Sequence, residues 1–205
     1  MSFNKILLAS SNVGKIEEFK SLGPPLGLEF LTLNQFNSLS LAPPIERGSS
    51  FLENALIKAR YYAQAFKTAA AADDSGLCVL ALNGAPGLGS ARFGGPNLDD
   101  RARCLQLLKL MESISDRRAY FYSIVALVRY DSPGYLFWDG YLDGLITEKI
   151  EGDYGFGYDP IFKPLGSELT LAQISIEEKN SLSHRAIALE AMKNDVEQVR
   201  AFLSD

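Results

Sequence analysis

The chain has 205 residues, 47% of them apolar and 22% charged, and a net charge of −5. That length suffices for one sizeable core or two lobes sharing one sheet, and the composition is that of an ordinary soluble globular protein. The acidic balance, with no run of Lys and Arg, argues against bulk binding of a nucleic-acid polymer but leaves room for a small anion held by a few placed cations. Cys78 and Cys104 lie among apolar neighbours without metal-ligand spacing and read as buried free thiols of a reducing compartment. No stretch is long enough to span a membrane, and the apolar run in MSFNKILLASSN is too short for a signal peptide. A cytoplasmic protein with no membrane partner is expected.

In chain order, KILLAS reads as a first strand. SNVGKIEEFKSLG follows as a loop turning into a helix, closed near Gly23-Pro24-Pro25. LEFLTL is a second strand, and residues 37–48 form a Pro-containing connection. A helix then starts at a capping box of Ser50 and Glu53. Its apolar face is Leu52, Ala55, Leu56, Ala59, Ala63 and Phe66, while Asn54 and Lys58 share a different face. TAAAA and LCVLAL read as strands flanking a DDSG turn. APGLGSARFGGPN is a Gly-rich loop. Residues 98–112 look helical, with Ala102, Leu105, Leu108 and Met111 apolar. RAYFYSIVALVRY, apolar on both alternating faces, is a long central strand covered on both sides. DSPG is a hairpin turn leading to YLFWDGYL and GLITEKI as antiparallel partners. EGDYGFGYDPIF is a loop. A long helix ends the chain, with Ser183 at its N-cap and Leu189, Met192, Val196, Val199 and Phe202 on one face. Early alternation of helix and strand with a meander in the middle gives an α/β fold with a mixed sheet in a single domain, 1–205.

Four stretches could carry chemistry. In SSNVGK (Ser10, Ser11, Asn12, Val13, Gly14, Lys15), backbone N–H groups at a helix N-terminus attract anions and Lys15 adds charge one turn in. The same residues also read as a polar loop capped by Asn12. Glu46, Asp73 and Asp74 form an acidic set. Neighbouring side chains on a strand point to opposite faces, so Asp73 and Asp74 are expected to differ in role. Such oxygens suit Mg²⁺, which takes one or two carboxylates plus water and phosphate, or they form a solvated Asx-turn. GFGYDP lets backbone approach a ligand, with Phe156 or Tyr158 as an aromatic face and Asp159 as an acceptor, or it is a turn stiffened by Pro160. EKNSLSHRA offers Lys179, Arg185 and the chain's one histidine, His184, as donors, or a structural histidine. Together they supply cations for phosphate, carboxylates for a divalent ion, a ring for a flat base and donors for an acceptor edge, which is the requirement of a nucleotide.

SSNVGK, SFLENALIKA, ADDSGL, GAPGLGSARF, GFGYDPIF and EEKNSLSHRA, in that order, resemble the inosine triphosphate pyrophosphatase family, hydrolases of non-standard purine nucleoside triphosphates. The resemblance implies cleavage of ITP, dITP or XTP to the monophosphate and pyrophosphate, with Mg²⁺ as cofactor and a homodimer as the assembly. It implies an elongated mixed sheet flanked by helices, with two lobes and the active site in a cleft between them. Carried over residue by residue, Ser10, Ser11, Asn12, Val13, Gly14 and Lys15 resemble the first phosphate loop, and Lys58 a further phosphate cation. Glu46 and Asp74 resemble the Mg²⁺ carboxylates. Asp74 is also similar to the general base, so Asp74, Lys15 and Lys58 are the catalytic candidates. Ser75 resembles a substrate contact. Phe156 resembles the base-stacking ring within Phe156, Gly157, Tyr158 and Asp159. Lys179, His184 and Arg185 resemble base-pocket residues.

Ser10-Ser11, Ile45, Tyr154 and Ala186 depart from the family's commonest pattern. The expected selectivity follows from the purine 6-oxo acceptor, which meets donors from Arg185, His184 or backbone, whereas adenine presents a 6-amino donor to the same groups.

Overall fold

The structure, a computed structural model, describes residues 4–23, 27–36 and 41–204. Pro24, Pro25 and the first part of the 37–48 connection therefore lie outside the described residues. Six strands form one sheet: β1 (Asn4–Leu8), β2 (Leu28–Thr32), β3 (Ala70–Val79), β4 (Arg118–Val128), β5 (Tyr135–Ile146) and β6 (Phe162–Pro164), in the order β2-β1-β3-β4-β5-β6. β1 runs parallel to β2 and β3, whereas β5 and β6 are antiparallel, so the sheet is mixed. The helices are α1 (Val13–Leu22), α2 (Phe51–Phe66), α3 (Asp100–Leu110), α4 (Ile176–Leu182), α5 (His184–Asn194) and α6 (Val196–Ser204).

The chain groups into two compact units. The first takes the described residues up to Asp74, Ser123–Gly140 and those from Arg185 onward; the second takes Ser75–Tyr122 and Tyr141–His184. Each has its own core. In the first, Ile6, Leu8, Phe19, Phe30, Val125, Leu127, Trp138, Leu189 and Met192 pack together. In the second, Leu77, Val79, Leu107, Met111, Phe121, Ile146, Ile161, Phe162 and Leu171 do. Cys78 and Cys104 are buried free thiols, as expected.

α2 follows its sequence pattern. Ser50 caps it by accepting from the Glu53 N–H, and Ala55, Leu56, Ala59 and Ala63 are buried. The return bond of the box goes one residue further back than expected, from the Ser49 N–H to Glu53 Oε2. β4 is buried residue after residue in its second half, as its two-faced apolar run requires.

Three expectations change, and one helix gains detail. DDSG is no turn: β3 runs unbroken through Asp73, Asp74, Ser75 and Gly76. A strand buried on both faces tolerates two carboxylates there because each meets a cation. β5 is likewise one strand rather than two. Gly144 interrupts nothing; a Cβ there would lie 2.4 Å from the Lys163 carbonyl oxygen, so glycine permits close approach of β6. α3 buries Arg103, Cys104, Leu107 and Met111, while Leu105 is 52% exposed. The buried Arg103 guanidinium donates to the carbonyls of Phe93, Gly95 and Leu98. The C-terminal helix is three helices: Ser175 caps α4, and Ser183 is extended between α4 and α5.

Candidate functional site

Alternation along β3 sends its adjacent carboxylates to different partners in the first unit. Asp73 accepts from Ser123 Oγ, from Arg185 at 3.2 Å and from Lys15 Nζ at 2.6 Å. Arg185 also pairs with Glu18. Burial favours the neutral form of Asp73, but Arg185 and Lys15 outweigh it and hold the carboxyl far below the usual range. Asp74 faces Lys58, whose Nζ lies 2.9 Å from Asp74 Oδ1 and 3.1 Å from Glu46 Oε2. Here burial wins: Asp74 is pushed up, with Lys58 opposing the shift without cancelling it. Two neighbours in sequence are thus shifted in opposite directions by their surroundings, Asp73 downward and Asp74 upward.

The loop that brings Glu46 to Lys58 is anchored by α2. Asn54 is buried and its Oδ1 accepts the Gly48 N–H at 2.8 Å. A Cβ at Gly48 would sit 2.7 Å from that same oxygen, so glycine is required there. Asn54 precedes Lys58 by one helical turn, so a single helix holds both the loop and the ammonium that meets its carboxylate.

SSNVGK satisfies both of its readings at once. Asn12 caps α1 by accepting the Lys15 N–H at 3.0 Å, and Ser10 Oγ accepts the Asn12 N–H at 3.2 Å. Ser11, Asn12 and Val13 are exposed, while Gly14 and Lys15 are half-buried. Burial lowers the Lys15 pKa, an effect Asp73 partly offsets; Lys58 moves upward because Asp74 and Glu46 overcome its burial.

The second unit holds the aromatic part. The Phe156 N–H donates to Asp159 Oδ2 at 2.9 Å, and Lys179 Nζ meets the same oxygen at 2.6 Å. That ammonium also lies 4.4 Å from the centre of the Phe156 ring, a cation–π contact. Tyr158 is buried, its hydroxyl donating to the Ser90 carbonyl, so the half-buried Phe156 is the ring with a face to offer. Gly155 has φ +75°, and a Cβ there would lie 2.1 Å from Asp159 Oδ2. Glycine therefore lets the Asp159 carboxylate reach the Phe156 amide.

The structure thus joins Lys15 with Asp73 and Arg185, Lys58 with Glu46 and Asp74, and Phe156 with Asp159 and Lys179. His184 and Arg185, adjacent in sequence, part company. His184 is stacked on Phe121 in the second unit at 4.8 Å, and Arg185 is 1% exposed in the first. Ser75 follows Asp74 on β3 and is half-buried. Of the departures from the family pattern, Ile45 and Tyr154 are each 69% exposed, and Ala186 is buried.

Sequence reasoning missed Glu18, Ser123 and the loop anchor Asn54. Glu18 stands three residues after Lys15 and shares its helix face, a spacing that was readable. Ser123 carries no signal inside an apolar strand.

Among the described residues no group of three or more His, Cys, Asp or Glu side chains is placed to hold a metal. The pair Glu46–Asp74 is a two-carboxylate set with a cation, the Lys58 ammonium, already between its oxygens. A mixed-sheet α/β chain with such a pair, further lysines and a cation-backed aromatic loop has the makings of a protein that handles phosphate esters.

The particular kinship is plain: the chain belongs to the Ham1 family, whose model matches residues 6–195. A dITP/XTP pyrophosphatase of Nitrosomonas europaea is 43% identical over 188 residues, 91% of either chain. One of Thermus thermophilus is 43% identical over 190 residues, 92% of this chain and 89% of its own. Among solved structures, a HAM1 protein from Coxiella burnetii superposes with a TM-score of 0.85 at 38% identity, covering 96% of this chain and 100% of its own. The resemblance carried by the six segments is borne out, and the mixed-sheet α/β fold is that of this neighbour.

Proposed function

We propose that this Ham1-family chain hydrolyses non-standard purine nucleoside triphosphates (ITP, dITP and XTP), giving the nucleoside monophosphate and pyrophosphate and so clearing them from the nucleotide pool. The observation that carries the reading is the pairing of two adjacent buried carboxylates with two different lysines, Asp73 with Lys15 and Asp74 (with Glu46) with Lys58, an arrangement for phosphate chemistry rather than for a solvated turn. The names of its relatives, dITP/XTP pyrophosphatases, support the same reaction.

In this reading Lys15 and Lys58 hold the triphosphate, aided by the N-terminal amides of α1 around Ser10–Gly14. Glu46 and Asp74 are the Mg²⁺ carboxylates. The fit rests on Lys58, whose ammonium shows that both oxygens turn toward one cation. Bound there, Mg²⁺ supplies charge neutralisation at the phosphate oxygens and a lowered pKa for water. Asp74, the carboxylate facing Lys58, takes the proton of a water attacking the α-phosphorus, and pyrophosphate leaves. Asp73 turns over no bond; it keeps Lys15 charged and aimed.

The base stacks on Phe156, with Lys179 presenting a donor to the 6-oxo edge. Ser75, Gly157, Tyr158, Asp159 and His184 line or support the binding residues. A base contact by Arg185 requires its guanidinium to leave Glu18 or Asp73. A homodimer and a cytoplasmic location belong to the same reading. Among the described residues no helix is long and apolar enough to cross a membrane.

The test is pyrophosphate release from ITP, dITP, XTP, ATP and GTP, with Mg²⁺ and with EDTA. Fast Mg²⁺-dependent release from the first three, with ATP and GTP slow, is expected. Equal turnover of ATP and ITP would overturn the donor argument. No release from any of them would move the chain to a pyrophosphatase of modified pyrimidine nucleotides or to a binding-only role.

A further inference from the structure

Gly157, next in the chain to the ring proposed to take the base, has both of its backbone groups engaged by α3. Its N–H donates to Asp100 Oδ2 at 2.7 Å, and its carbonyl accepts from Cys104 Sγ at 3.3 Å. Asp100 and Cys104 are four residues apart, one above the other on the same helix face. One residue earlier in the chain, the Phe156 N–H is held by Asp159. Gly155 and Gly157 have φ +75° and +62°, so Phe156 sits between two left-handed glycines. A loop with two such residues is free to swing unless something grips it, because glycine loses more backbone freedom on ordering than any other residue.

The grip is built to persist. Cys104 is fully buried in the second core, and burial pushes its thiol up to about 12, with the Asp100 and Asp159 charges adding to the shift. The sulfur therefore keeps its proton, and its capacity to donate, throughout the neutral range. α3 itself is fixed at its start by Asp99, which caps it through the Ala102 N–H at 2.7 Å.

We infer that Asp100 and Cys104 form a clamp on α3 that pre-sets the Phe156 loop for a purine base. They are positioning residues: they touch the loop, not the substrate, and lower the ordering cost of binding. The inference rests on Phe156 being the stacking ring, so its test carries a control for that reading.

The experiment measures binding of two probes, IMP and inorganic tripolyphosphate, by calorimetry to the wild-type chain and to Phe156→Ala, Asp100→Ala and Asp100→Asn. Asp100 is exposed, so its variants remain folded. Asp100→Ala is expected to weaken IMP about three- to tenfold, the size of one ordinary net hydrogen bond since the loop rather than the ligand loses it, and to leave tripolyphosphate unchanged. Asp100→Asn keeps an acceptor oxygen and restores most of the IMP affinity. Turnover of dITP shows the same split, a raised KM with kcat within about twofold of wild type. Unchanged IMP binding in Asp100→Ala, where Phe156→Ala weakens it, overturns the clamp. Equal loss for both probes also overturns it, since a general disturbance does not distinguish base from phosphate. If Phe156→Ala leaves IMP binding intact, the stacking reading fails and the clamp fails with it. Failure of the pyrophosphatase reading is seen separately, as absence of pyrophosphate release by the wild-type chain.

Discussion

Exchanging one carboxyl for an amide at either of two adjacent positions separates stability from catalysis. Asp73→Asn removes a charge whose side chain is fully buried and which pairs with Lys15 and Arg185. What remains is Lys15, Arg185 and Glu18, an interior with one uncompensated positive charge. Breaking a buried pair in this way costs about 3–5 kcal/mol. For a chain of this size that lowers the melting temperature by roughly 6–20 °C. Asp74→Asn behaves differently. Burial already disfavours its ionised form, and Lys58 keeps Glu46 when the Asp74 charge is gone. Its stability is predicted to stay within about 1 kcal/mol of wild type. Its pyrophosphate release is predicted to fall by about 10²-fold or more, the contribution of a general base. The assay is thermal unfolding by circular dichroism in EDTA, paired with turnover of dITP in Mg²⁺. Asp73→Asn melting within about 2 °C of wild type, or Asp74→Asn keeping near-full turnover, would refute the assignment of structure to one carboxylate and chemistry to the other.

We predict that Lys58→Met tightens Mn²⁺ binding to the nucleotide-free protein by about tenfold or more, since it removes the ammonium that competes for Glu46 and Asp74. Unchanged or weaker binding by calorimetry would contradict that pairing. Acid titration of stability has a definite sign. Asp73 has a folded-state pKa below its ordinary value of 3.8, so its contribution is present above that pH and is lost progressively as the pH falls below it. Melting curves from pH 7 down to pH 3 are predicted to fall less steeply for Asp73→Asn than for wild type. Gly155→Ala places a Cβ 2.1 Å from Asp159 Oδ2 in a left-handed backbone. It is predicted to weaken IMP binding, through displacement of Asp159 from the Phe156 amide, while tripolyphosphate binding is kept.

What the sequence made legible was whatever depends on near neighbours. The period of α2 and its Ser50 cap are local, and so is the two-faced apolar run of β4. DDSG was misread because two adjacent carboxylates look like a solvated turn until their cations are known. Those cations, Lys15, Lys58 and Arg185, come from α1, α2 and the start of α5. The helix at α3 was legible, but the burial of Arg103 was not, because its guanidinium bonds to carbonyls of a loop that shows no period. The SSNVGK loop, the acidic set and the Phe156 loop were each visible as motifs. Their supports were not: Ser123 is one serine in an apolar strand, and Asp100 is an ordinary first-turn acid of a helix. Asn54 was the nearest miss, since it was read on the same face as Lys58 but not as the anchor of the Glu46 loop.

The account turns on attack at the α-phosphorus with a divalent cation held by Glu46 and Asp74. The most direct measurement is turnover of dITP in ¹⁸O-labelled water, with Mg²⁺ and with EDTA, followed by mass spectrometry of both products. The prediction is one labelled oxygen in the nucleoside monophosphate, none in the pyrophosphate, and no turnover in EDTA. Label in pyrophosphate or in inorganic phosphate, or undiminished turnover in EDTA, would contradict it.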